Sequence, residues 1–171
     1  MSAIRFAMVT VFGLGLLKPA PGTWGSLPPA ALVLALLWLG APGWTVNLAL
    51  IALAAVFGLG CVTFGRWAET RFGGKDPRQV VADETAGQSL VLLFLPWRDP
   101  ADREAWLWNI GLAATAFVVF RIFDVVKPPP ARGLQRLQGG WGILLDDIAA
   151  GLEALVMTHL LAWLLWPRLI G

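Results

Sequence analysis

PAPGTWGSLPPAALVLALLWLGAPGWTVNLALIALAAVFGLGCVTFG, residues 19–65, is a run of 47 residues without a charged side chain, bounded by Lys18 and Arg66. A helix that crosses a bilayer needs about 20 predominantly apolar residues, so the run has room for two. Gly40-Ala41-Pro42-Gly43 divides it, since glycine and proline punctuate helices. The first helix is expected over Leu27–Leu39 and the second over Trp44–Phe64. Three more apolar runs follow: Thr85–Trp97, short enough to be tilted or re-entrant; Ala105–Val126, with Arg121 and Asp124 in its last turns; and Ile143–Trp166. None of the intervening stretches is long enough to link a second domain. The expected fold is all-α: an integral membrane bundle of about four to five hydrophobic helices in one domain, residues 1–171, with an N-terminal interfacial helix.

Composition agrees. The chain of 171 residues is 57% hydrophobic and 14% charged, against about half and about a quarter in soluble domains. Disorder is excluded, because it requires few apolar residues and high net charge. A formal charge of +2 is not the basic face of a nucleic-acid binder. A single cysteine, Cys61, excludes an intramolecular disulfide and a cysteine-rich zinc site. Arg5 and the apolar residues after it resemble a signal peptide, but Lys18-Pro19-Ala20-Pro21 follows where a small-x-small cleavage site belongs. A helix in the inner interface is expected instead.

Basic residues set an orientation. With the N-terminus cytoplasmic, the inner segments carry Arg5, Lys18, Arg66, Arg71, Lys75, Arg78, Lys127, Arg132 and Arg136, against Arg98, Arg103 and Arg168 outside. That is the positive-inside bias. Trp38, Trp44, Trp97, Trp106, Trp108, Trp163 and Trp166 fall near outer helix ends and Trp24, Trp67 and Trp141 near inner ones, as aromatic belts require.

This topology carries four polar patches to the cytoplasmic surface: Pro19–Ser26, Asp76–Gly87, Phe120–Pro128 and Gly139–Gly151. Asp83 precedes Gly87 by four residues, and Asp147 precedes Gly151 by four. Positions i and i+4 share a helix face, and a small residue lets a second helix backbone come close. Helices crossing at the two glycines would join Asp83 and Asp147, with Glu84 and Asp146 beside them. Such a cluster needs protons or a cation, and carboxylate oxygens suit a hard ion such as Mg²⁺. Acidic residues inside a membrane are costly and usually functional.

Arg121, Asp124 and Lys127, spaced by three, line one helix face, where the two cations can hold phosphate oxygens. Gly22, Thr23, Gly25 and Ser26 precede the first spanning helix and Gly139-Gly140-Trp141-Gly142 the last, and helix N-termini favour anions. The combination points to chemistry on a phospholipid phosphate. Cys61 and Arg66 are one residue short of a Cys-x5-Arg loop, no Asp-x-Asp-x-Thr stretch exists, and the single histidine, His159, falls toward the outer leaflet as a packing or interfacial residue. Metal-assisted attack by water, with a carboxylate taking the proton, remains.

Pro21-Gly22-Thr23-Trp24-Gly25-Ser26, Asp83-Glu84-x-x-Gly87, Phe120-Arg121-x-Phe123-Asp124-x-x-Lys127-Pro128 and Gly139-Gly140-x-Gly142-Ile143-x-x-Asp146-Asp147 resemble, in that order, the motifs of the phosphatidylglycerophosphatase A family, over about Phe12 to Leu155. Pro129-Pro130-Ala131 is a slightly unusual form of the segment after the lysine. The resemblance implies a Mg²⁺-dependent phosphatase of the bacterial inner membrane, its site facing the cytoplasm, that converts phosphatidylglycerophosphate to phosphatidylglycerol. It implies Asp83, Glu84, Asp146 and Asp147 as metal ligands, one of them a possible base. Asp124 is a further ligand or orients Lys127. Lys127 and Arg121 would contact phosphate, Thr23 and Ser26 would donate hydrogen bonds to it, and Lys18 is a further substrate contact. Glu153 supports the ligands from about the same face as Asp146.

Two rival functions fit less well. A phosphatidyl transferase using a nucleotide-activated lipid would need Asp-Gly-x2-Ala-Arg-x8-Gly-x3-Asp-x3-Asp, but Lys127 holds the first Asp position, nine residues separate Arg132 from Gly142, and position 150 is Ala. An ion or proton transporter would place its acids near the bilayer midplane, whereas these gather at one surface.

Overall fold

The structure, a computed structural model, describes residues 2–100, 103–129, 131–134 and 139–164. Pro130, Arg136, Trp166 and Arg168, used in the sequence reading, lie outside the described residues. Seven α-helices and no strand occur among the described residues: α1 Ser2–Val9, α2 Pro21–Trp38, α3 Gly43–Phe72, α4 Ala82–Val91, α5 Arg103–Val126, α6 Ala131–Leu134 and α7 Gly140–Leu164. The all-α expectation holds.

The number of spans does not. Among the described residues, two helices, α3 and α5, are long and apolar enough to cross a membrane, against the four to five expected. The run from Thr85 is helical only to Val91, and ten residues at about 1.5 Å each reach about half of a ~30 Å hydrocarbon core. Helix α2 begins earlier than expected. Pro21–Ser26 forms its opening turns and brings Thr23 and Ser26 into the helix. Helix α7 carries Asp146, Asp147 and Glu153 within its length.

Helix α4 is the hub, packed by α7, α3, α2 and α5. It is short because it is enclosed: Asp83, Thr85, Gln88 and Ser89 are all buried along with its apolar residues. Pro29 fastens it to α2. Having no N–H, Pro29 leaves the Gly25 carbonyl without its helical donor, and the Thr85 hydroxyl donates to that carbonyl at 2.7 Å. Opposite, α4 and α7 cross at their glycines. A Cβ on Gly87 would lie 2.8 Å from the Asp147 carbonyl oxygen, and one on Gly151 would lie 2.7 Å from the Gly87 carbonyl oxygen.

The N-terminal helix packs onto the bundle more than the interfacial expectation implied. Val9 and Val11 are buried, Phe6 meets Phe72, and the Val81 N–H donates to the Val9 carbonyl at 2.9 Å. Gly139-Gly140, expected to open the last helix toward an anion, instead lets α7 meet α3: a Cβ on Gly140 would collide with the Cys61 carbonyl oxygen and Val62.

Candidate phosphate and cation site

Four helix ends and one loop meet at the same end of the bundle: the starts of α2, α4 and α7, the end of α5, and the 73–81 connection. A cavity of about 310 Å³ opens there, lined by Pro19–Gly22, Asp76, Arg78, Val80, Asp83, Glu84, Arg121, Asp124, Lys127 and Asp147.

Asp83, Glu84 and Asp147 each offer a carboxylate oxygen within 4.8 Å of the other two. The glycine crossing is the cause, because Gly87 and Gly151 lie one helical turn beyond Asp83 and Asp147 on the same faces. Among the described residues, Asp83 Oδ1, Glu84 Oε2 and Asp147 Oδ2 are buried without a hydrogen-bond partner. Burial and then the neighbouring Glu84 raise the Asp83 carboxyl well above its ordinary range. Burial and then Asp147 push Glu84 up to about 8. Three convergent, unsatisfied, hard oxygen donors fit a divalent cation of the Mg²⁺ class.

Asp146 is not brought into this group. Successive helix residues point about 100° apart, so with Asp147 facing α4, Asp146 turns to α5 and pairs with Lys127. Lys127 Nζ also lies 3.4 Å from Asp147 Oδ1 and 3.8 Å from Asp124 Oδ1. Burial lowers the lysine's pKa, but Asp147, Asp146 and Asp124 outweigh it and the net shift is upward. The residue occupies a left-handed backbone position at the end of α5, with φ 46°. Such a conformation costs a non-glycine residue on the order of 1 kcal/mol, and it turns the ammonium back over the carboxylates.

Arg121 Nη1 pairs with Asp124 Oδ2 at 2.7 Å and donates to Ser26 Oγ at 3.4 Å. Ser26 is wholly buried and its hydroxyl donates to the Gly22 carbonyl at 2.8 Å. It braces Arg121 and does not face the cavity. Thr23 lines a separate apolar groove with Phe117, Val118, Arg121, Ile122, Val125 and Val126. Lys18 borders a neighbouring cavity. His159 lies away from the site, its ring nitrogens 2.9 Å from the Leu155 carbonyl and 3.1 Å from the Phe94 carbonyl, in keeping with the packing role expected of it. Cys61 is buried.

Gly22, Asp76 and Arg78, which the sequence placed in the polar patches without a role in the site, line the cavity. Gly22 is a contact point: a Cβ there would collide with the Glu84 carboxylate and lie 3.1 Å from the Arg121 guanidinium nitrogens. Asp76 and Arg78 sit in a loop whose path nothing local dictates. Their charge beside the Asp83-Glu84 pair was the available signal.

The model of the phosphatidylglycerophosphatase A family matches residues 7–162. A Haemophilus influenzae protein named phosphatidylglycerophosphatase A is 36% identical over 156 residues, covering 90% of this chain and 86% of its own. An Escherichia coli protein of the same name is 36% identical over 141 residues, covering 82% and 73%. A Bacteroides thetaiotaomicron protein, named provisionally as a phosphatidylinositol-3-phosphatase, is 35% identical over 163 residues, covering 91% and 92%. No solved structure matches the chain.

Proposed function

The chain belongs to the phosphatidylglycerophosphatase A family, and on that premise we propose that it is a Mg²⁺-dependent lipid phosphatase that hydrolyses phosphatidylglycerophosphate to phosphatidylglycerol and phosphate. The carrying observation is one cavity that joins three unpartnered buried carboxylate oxygens to the cations Lys127 and Arg121. Asp83, Glu84 and Asp147 would hold Mg²⁺, which when bound supplies charge neutralisation and polarisation at the phosphoryl group. Lys127 and Arg121 bind the remaining phosphate oxygens. Asp124 and Ser26 aim Arg121, and Asp146 aims Lys127. As water forms its bond to phosphorus, a carboxylate of the cluster accepts the water's proton, and the glycerol oxygen takes up a proton as its bond to phosphorus breaks.

The single domain would lie in a bacterial inner membrane, multi-pass, with this site at the cytoplasmic face. Its surface supports that reading. Trp38, Leu39, Trp44, Leu59, Val125, Val156 and Trp163 are each at least 60% exposed, and large apolar side chains in contact with water favour a lipid environment. Helix α3, with 30 residues at about 1.5 Å each, exceeds a ~30 Å core.

The test is phosphate release by the purified protein in detergent with Mg²⁺ from phosphatidylglycerophosphate, phosphatidic acid and phosphatidylinositol 3-phosphate. The first should be preferred. Preference for the third would favour the activity that the Bacteroides relative's name describes, and release from none would end the lipid-phosphatase reading.

A further inference from the structure

A second cavity, of about 570 Å³, adjoins the first and is lined by Gly15, Leu16, Lys18, Pro19, Pro21, Arg78 and Gln79. Pro19, Pro21 and Arg78 line both cavities, so the two share a wall. Their chemistry differs. The first is lined by five carboxylates together with Arg78, Arg121 and Lys127. The second holds two cations, Lys18 and Arg78, and no acidic residue in its lining. Neither cation is in an ion pair among the described residues. Leu16 lines the second cavity, and it and its chain neighbour Leu17 are both exposed, so the rim is apolar where α1 leads into α2.

We propose that Lys18 and Arg78 form a subsite for the phosphodiester of a lipid whose headgroup carries a second, terminal phosphate. The inference rests on the lipid-phosphatase reading and adds the residues that would select its substrate. With the terminal phosphate between the carboxylate cluster and Lys127, a short polyol bridge runs past Pro19 and Pro21. It delivers the diester to Lys18 and Arg78, and the acyl chains leave over Leu16 and Leu17. Two unpaired cations beside an apolar rim match a phosphodiester joined to diacylglycerol. A phosphatidic acid has one phosphate and cannot fill both places. The shared wall makes Arg78 the residue that reads the spacing between the two phosphates, and Lys18 is the second cation on the diester. This separates headgroup selection from the hydrolytic centre.

The experiment compares kcat/KM for phosphatidylglycerophosphate with that for phosphatidic acid in the purified wild-type protein, in Lys18→Ala, Arg78→Ala and their double variant, and in the charge-keeping Lys18→Arg and Arg78→Lys. The ratio of the two values should fall at least tenfold in the double variant, through KM, and should be largely kept in the charge-keeping pair. Thermal unfolding of each variant guards against misfolding, which both exposed positions should tolerate. An unchanged ratio with an active wild type overturns the subsite and leaves the phosphatase reading intact. A wild type inactive on both lipids overturns both.

Discussion

Gly87 and Gly151 are in backbone contact: the position a Cβ would take on Gly151 is 2.7 Å from the Gly87 carbonyl oxygen and 3.2 Å from its Cα. Both neighbours are backbone, so neither can rotate away. One turn earlier on each helix stand Asp83 and Asp147, whose carboxylates meet only because the helices are this close.

Gly151→Ala should therefore act twice. In an open helix alanine is favoured over glycine by about 1 kcal/mol, but here the methyl must part α4 from α7, and overpacking costs about 1–3 kcal/mol. The expected outcome is a lower Tm together with at least a tenfold loss of phosphatase turnover. A raised Tm with full activity would show that the crossing does not hold the carboxylates.

The adjacent acids should separate in mutagenesis. Removing a group that supports a metal ligand costs roughly 10–100-fold, and removing the ligand itself should cost more. Asp147→Asn is expected to lower kcat more than ~100-fold, and Asp146→Asn, which loosens Lys127, within the ~10–100-fold range. Equal losses, or near-normal turnover in Asp147→Asn, would contradict the assignment that their different partners support.

Metal and pH are linked through α4. Glu84 rises from 4.5 to about 8 in the folded protein, and Asp83 rises in the same direction, so the fold favours their neutral forms. Without metal, the stability tied to these groups is full below pH 4.5 and is lost as pH climbs through about 8. Lys127, raised from an already basic value, stays charged throughout that window. In chelator, the Tm should fall across it. Mg²⁺ binds the deprotonated carboxylates, so the Tm gain on adding Mg²⁺ should grow with pH, and activity lost to chelator should return. A Tm gain independent of pH would count against these ligands.

Orientation can be tested in cells. A cysteine at Arg71, exposed at the end of α3, should resist an impermeant thiol reagent in intact cells and react after permeabilisation. Native Cys61 is buried and gives little background. Ready labelling of intact cells would invert the topology.

The charge-free run 19–65, the Asp-x-x-x-Gly pairs and the Arg121-Asp124-Lys127 spacing are local patterns, and they were enough to give an all-α chain and to bring Asp83, Glu84, Asp124, Asp147, Arg121 and Lys127 to one end of it. Local periodicity could not tell Asp146 from Asp147, because both lie near the inward face until a neighbouring helix sets the rotation about the axis. Nor could it show that α4 stops at Val91, that Ser26 braces Arg121, or that Gly22, Asp76 and Arg78 complete the wall. Those facts follow from how helices seat against each other: the missing N–H of Pro29 that admits Thr85, and the missing side chains of Gly87 and Gly151 that admit backbone. Residue order along a chain determines which groups can share a face of one helix. Which faces meet is decided by packing between helices, where the presence or absence of one Cβ at Gly87 or Gly151 decides whether two backbones can approach.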